Sequence, residues 1–167
     1  MMISHKMRLL FLSIGMMFLS SVSRGEIVND CDLIRQAKQY GAINPQLVLA
    51  VAEIESSKNS SEISRMDSRN VHYGLMQLKP ETAKMLGFRG QPRDLLQWRT
   101  NLKYGVVYLN QKLKKYHSKQ AAAAAYNAGA AFPCKKEQVK CSLGEFVNQR
   151  YVDLVMQRYR KHQNTRC

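Results

Sequence analysis

The stretch Asn44-Pro45-Gln46-Leu47-Val48-Leu49-Ala50-Val51-Ala52-Glu53-Ile54-Glu55 constrains the chain more tightly than any other. Asn44 offers a side-chain acceptor to free N–H groups, Pro45 occupies the first helical position where its missing N–H costs nothing, and Ile43 can staple onto Val48. Leu47, Val51 and Ile54 recur at the spacing of one helix face, and Glu55 falls on that face while Glu53 falls on the other. A carboxylate aimed at apolar walls has its charged form disfavoured and its pKa raised. That suits it to hold a proton near neutral pH and donate it. The alternative is a structural glutamate paired at a helix end, and position alone favours that second reading.

The rest of the chain also reads as helical. Asn29 or Asp30 can cap a helix through Leu33, Ile34 and Ala37, with Gly41 beyond its end. From Ser56 to Tyr73 the periodicity vanishes, which predicts a long loop with room for a small sheet. Pro80 to Leu86 is a short helix closed by Gly87, and Gly90, Pro92 and Asp94 mark a second irregular stretch. Trp98 to Tyr116 is the longest helix, striped by Leu102, Val106, Leu109 and Leu113, with Gly105 open to close approach by another backbone. Ser118 caps Lys119 to Ala128, Gly129 ends it, and a last helix is expected from about Glu145 to Lys161. The fold class expected is mainly α, a single compact domain of about six helices with a long loop beside Glu55.

Residues 1–23 read as a secretory leader: a basic start with Lys6 and Arg8, an apolar run from Leu9 to Leu19, and the small residues Ser21-Val22-Ser23. The run is short for a membrane span, so residues 24–167 are expected as one domain in the periplasm or outside the cell, without stable membrane insertion. All four cysteines fall after the leader, where an even count favours disulfides. The preferred pairing joins Cys134 to Cys141 across a short loop and Cys31 to Cys167 across the ends. The long closure is worth about 4–5 kcal/mol in the chain-entropy model. No Cys-x-x-Cys pair occurs and His5, His72, His117 and His162 are scattered, so neither a metal nor a cofactor is expected. The formal net charge of +14 drives association with polyanions, and a leader would remove only two of those charges. Nucleic acid, anionic lipid and the acidic stems and polymers of a bacterial wall all fit that charge, and export argues against nucleic acid as the working partner.

Four segments in order carry a resemblance: Glu55-Ser56, Gly74-Leu75-Met76-Gln77, Asn101-Leu102-Lys103-Tyr104-Gly105 with Tyr108-Leu109, and Ala125-Tyr126-Asn127-Ala128-Gly129. Together they resemble the soluble lytic transglycosylases, which cleave peptidoglycan and have a goose-type lysozyme-like fold. The resemblance implies that Glu55 protonates the bond between N-acetylmuramic acid and N-acetylglucosamine and then deprotonates the muramic 6-hydroxyl, giving a 1,6-anhydro end. Most glycosidases add a second carboxylate, and Glu62, Asp67, Glu81 and Asp94 are the candidates here. None shares the apolar stripe of Glu55, although Asp67 could reach a cleft.

By the same resemblance, Gln77 would bond the sugar near the scissile bond, Gly74 would keep the backbone close to the glycan, and Met76 would line the cleft. Tyr126 would orient Glu55 through its hydroxyl, Asn127 would brace the turn, Ser64 would contact an acetamido group, and Tyr151 would close the site from behind. Departures stand beside these matches: Lys58 and Ser60 replace an aromatic residue and a proline, Lys79 replaces a methionine, Val147 replaces an acidic residue, and the loop from Glu55 to Gly74 is longer than usual. The expected partner is the peptidoglycan strand, with the protein acting as a monomer beside a secretion, conjugation or pilus apparatus. A lysozyme-like hydrolase using a loop carboxylate, or an inert cationic wall-binding adaptor, are the alternatives.

Overall fold

A computed structural model describes residues 25–67, 70–135, 142 and 144–167. The leader and Cys141 lie outside the described residues. Among the described residues six α-helices follow in chain order: α1 (Asp30–Gln39), α2 (Pro45–Ser56), α3 (Pro80–Met85), α4 (Trp98–Tyr116), α5 (Lys119–Ala128) and α6 (Gln149–His162). A 3-10 turn at Pro92–Leu96 precedes α4. Between α2 and α3, β1 (Ile63–Arg65) and β2 (Val71–Tyr73) form an antiparallel hairpin with Ser64 opposite His72. The architecture is mainly α, as the periodicity predicts.

The caps form where the side chains call for them. Asn29 accepts from the Cys31 N–H at 2.9 Å, Asn44 from Leu47 at 3.0 Å and Ser118 from Ala121 at 3.3 Å. Ile43 is 53% exposed, and its N–H donates to Asn110 Oδ1.

Helix α2 is central. Leu47 through Ala52 are all buried, because α1, α4 and α6 pack around it and use every side of its middle turns. One apolar stripe therefore understates its burial. At its end the chain reverses through Ser57 and Lys58, both with positive φ, and Lys58 pairs with Asp30 on α1.

Two expectations shift. The last helix begins at Gln149 rather than near Glu145, because the preceding residues are engaged elsewhere: Cys134 N–H donates to Glu145 O and Val147 N–H to Phe132 O. Gly105 makes room for a side chain, not a backbone; a Cβ there would meet Met76 Sδ at 2.2 Å. Cys31 and Cys167 form the long-range disulfide, tying α1 to the segment after α6. Cys134 is also disulfide-bonded, with its expected partner Cys141 outside the described residues. No described helix is long and apolar enough to cross a membrane.

Candidate active site

Glu55 lies one residue before the end of α2, where the central helix emerges from the core. Ser56 anchors that end: its hydroxyl donates to Leu75 O at 2.8 Å and so ties α2 to the Gly74–Gln77 turn. The turn is held from beneath by Asn101, a fully buried amide on α4. Asn101 Nδ2 donates to Tyr73 O at 2.6 Å and Leu95 O at 2.8 Å, while its Oδ1 accepts from Met76 N–H at 2.8 Å. All three bonds serve backbone groups, which is why a buried amide is tolerated there. Gly74 has φ +72, and a Cβ on it would meet Leu95 O at 2.3 Å.

A cleft of about 270 Å³ opens beside this turn, lined by Glu55, His72, Gln77, Lys79, Thr82 and Tyr108 with the α5 end from Tyr126 to Gly129. Glu55 is the single carboxylate among its described lining residues. Burial pushes the Glu55 pKa up to about 7, partly offset by a hydrogen bond from Tyr151 Oη to Glu55 Oε1 at 2.6 Å. With Oε1 accepting from the phenol, the proton of the neutral acid belongs on Oε2. Burial and the nearby Glu55 charge hold both Tyr151 and Tyr126 well above the usual phenol range, so both stay protonated donors.

The residues singled out in the sequence reach this place in different ways. Gln77 lines the cleft, but its amide is spent on the fold, with Nε2 donating to Gly74 O at 2.8 Å and Glu62 O at 3.1 Å. Its Oε1 accepts from Ser64 Oγ at 2.5 Å, so Ser64 reaches the cleft wall through Gln77. Asn127 lines the cleft and is braced by Asn148 Nδ2 at 2.9 Å. Met76 is fully buried beneath the turn, against the expectation that it lines the cleft, because Gly105 opens a pocket for its sulfur. Gly74 makes its close approach to Leu95 and Asn101. Tyr126 does not hold the acid: its hydroxyl donates to Met76 O at 2.8 Å. Tyr151, expected behind the site, makes that bond instead.

His72, Thr82 and Tyr108 belong to the lining as well, and nothing in their sequence spacing announced it. His72 Nδ1–H donates to Gln77 O at 3.2 Å, and burial and the charge of Lys79 lower its pKa. Tyr108 packs on Tyr126 at 5.1 Å between ring centroids, with Lys112 over its face. Asp67, the foremost second carboxylate, is not in the lining; it accepts from Asn70 N–H at 2.9 Å and from Asn70 Nδ2 at the hairpin end. No group of three or more His, Cys, Asp or Glu among the described residues could hold a metal.

The model of the transglycosylase SLT domain family matches residues 32–144, from α1 to beyond α5. The chain belongs to this family. It is 36% identical over 113 residues to membrane-bound lytic murein transglycosylase C of Photorhabdus laumondii, covering 59% of this chain and 30% of that protein. It is 31% identical over 112 residues to protein IpgF of Shigella flexneri, covering 66% of this chain and 72% of that protein. A putative soluble lytic murein transglycosylase of Haemophilus influenzae is matched at 36%, over only 18% of its length. Among solved structures, an inactive mutant of lytic transglycosylase Slt from Pseudomonas aeruginosa superposes with a TM-score of 0.51 at 29% identity, over 62% of this chain and 17% of that one. The 70 kDa soluble lytic transglycosylase of Escherichia coli gives 0.51 at 31% identity, over 59% and 16%. The SLT chain thus has the lysozyme-like fold expected of it, and it spans about a third or less of several longer relatives.

Proposed function

We propose that this SLT chain is an exported peptidoglycan lytic transglycosylase with Glu55 as its one acid and base. The observation that carries the reading is Glu55 itself: a single carboxylate in the described cleft lining, raised to about 7 and held by a phenol on one oxygen. Relatives named as lytic murein transglycosylases support the reaction class.

The chemistry follows from the proton on Oε2. Glu55 passes it to the glycosidic oxygen as the bond from the muramic anomeric carbon to that oxygen breaks. The carboxylate left behind takes the proton of the muramic 6-hydroxyl, whose oxygen bonds to the anomeric carbon. Glu55 is thereby reprotonated and no water is consumed. A pKa near 7 suits a group that must give and take a proton in one turnover. A hydrolase would need a second carboxylate to activate water, and the placement of Asp67 outside the lining favours the transglycosylase. Gln77, Asn127 and Tyr108 form the sugar-facing wall in this reading, Ser64 orients Gln77, and Tyr151 orients the acid.

The leader would deliver the protein to the periplasm or beyond, where the wall strand is its partner. Local opening of the wall beside a secretion, conjugation or pilus apparatus belongs to the same proposal. Digestion of purified peptidoglycan followed by mass analysis tests it: muramic ends one water lighter than reducing ends are expected. Reducing ends throughout would establish the hydrolase, and no release at all would leave the wall-binding adaptor.

A further inference from the structure

Lys79 stands out in the cleft wall. It is a cation in the lining, and among the described residues it has no salt bridge. Its ammonium has three donors, and among the described residues one is used: Nζ donates to Asn70 Oδ1 at 2.9 Å. The orientation of Asn70 is set from its other end, because Asn70 Nδ2 donates to Asp67 Oδ2 and leaves Oδ1 to face the lysine. Asp67 also accepts the Asn70 N–H at the end of the hairpin. A relay from Asp67 through Asn70 therefore fixes the ammonium without neutralising it at contact distance. The opposite neighbour, His72, bonds Gln77 O through Nδ1, and Lys79 disfavours a second positive charge there.

A fixed ammonium with free donors in a cleft recognises an anion. We propose that Lys79, positioned by Asn70, forms a subsite for a carboxylate on the peptide stem of the glycan strand, making the protein selective for peptide-bearing over bare strands. The inference rests on the reading that the cleft holds peptidoglycan. In the intact strand the lactyl carboxyl of each muramic acid is tied up in its amide to the stem, so the free carboxylates belong to the stems, and removing a stem exposes the lactyl carboxylate at the sugar in its place. A charged hydrogen bond at this position lowers KM for stem-bearing substrate rather than changing the chemical step.

The test uses soluble glycan fragments in three forms: stems intact, stems with their carboxyl groups amidated, and stems removed with the lactyl carboxyl so exposed amidated as well. Binding is measured to the Glu55→Gln protein, and kcat/KM to the wild type. Intact stems should bind about five- to tenfold more tightly than either other form, the scale of one charge-assisted contact, and Lys79→Met should bring the ratio close to one while Lys79→Arg keeps it above one. The imidazole of His72, followed by NMR, should show a raised pKa on binding of intact stems and not of amidated ones, since a carboxylate beside Lys79 offsets its charge. Amidated stems binding as well as intact ones, or a Lys79→Met protein with the wild-type ratio, would overturn the inference even where glycan is cleaved. Failure of all three forms to bind or be cleaved would instead sink the reading of the cleft.

Discussion

Glu53 and Glu55 leave the same helix two residues apart and meet unlike surroundings. Glu53 faces α6, where His162 Nε2–H donates to it at 2.6 Å and Arg158 and Lys161 lie at 3.3 and 3.9 Å. Glu55 faces phenols and the cleft, and among the described residues no cation pairs with it. Both carboxylates are largely covered. The difference is what covers them: cations make Glu53 a clamp between α2 and α6, while apolar walls and a neutral donor leave Glu55 raised to about 7. Burial without a compensating charge is what raises Glu55.

The largest expected effect of breaking that contrast is at Glu55. Glu55→Gln should lower glycan cleavage by about a thousandfold or more, since no other carboxylate lines the described cleft to take over. The same change should leave the fold stable, with a dependence on pH. The folded-state pKa of about 7 exceeds the ordinary 4.5, so the native state holds this proton more tightly than the unfolded chain. The wild type therefore has the full benefit below about pH 4.5 and loses it as pH rises towards 7, by up to about 3 kcal/mol. Denaturant titrations should find Glu55→Gln close to wild type at pH 4 and more stable than wild type at pH 8. A variant less stable at pH 8 would contradict the burial argument.

A smaller effect is expected at the donor. Tyr151→Phe should cut kcat about tenfold, the scale of one charge-assisted hydrogen bond. Because that bond lowers the Glu55 pKa, its loss should move the alkaline limb of the pH–rate profile upward. Tyr126 bonds a backbone carbonyl instead. A Tyr126→Phe limb displaced as far as that of Tyr151→Phe would erase the distinction between the two phenols.

The smallest effect on catalysis is expected at the clamp. Glu53→Gln should keep kcat within about threefold of wild type and lower stability by about 1–3 kcal/mol, because the buried His162 loses its charged partner. Thermal melting beside a rate assay would show it. A thousandfold loss of rate in a folded Glu53→Gln protein would mean that the two glutamates had been assigned the wrong way round.

The helices and their caps were legible in the sequence because they depend on neighbours three or four residues away: Asn44 reaches Leu47, Ser118 reaches Ala121, and Glu55 follows Ile54 off the apolar side of α2. The order of the four matching segments carried the family, and the absence of a second carboxylate on a helical stripe carried the expected chemistry. The parts misread were those in which two side chains from distant segments compete for one partner. Tyr126 and Tyr151 both pack near Glu55, and which hydroxyl turns to the acid is settled by Met76 O, which takes the hydroxyl of Tyr126 first. Met76 itself goes inward because Gly105, on another helix, leaves space for its sulfur. Asp67, which its place in the loop would let reach a cleft, accepts from Asn70 at the hairpin end instead, with Lys79 beyond. Helical spacing determines which residues share a face; only the packing of α6 on α2 and α5, with Ser56 and Tyr126 tying α2 and α5 to the Gly74–Gln77 turn, decides which of them meet, because those contacts form between side chains that no local period relates.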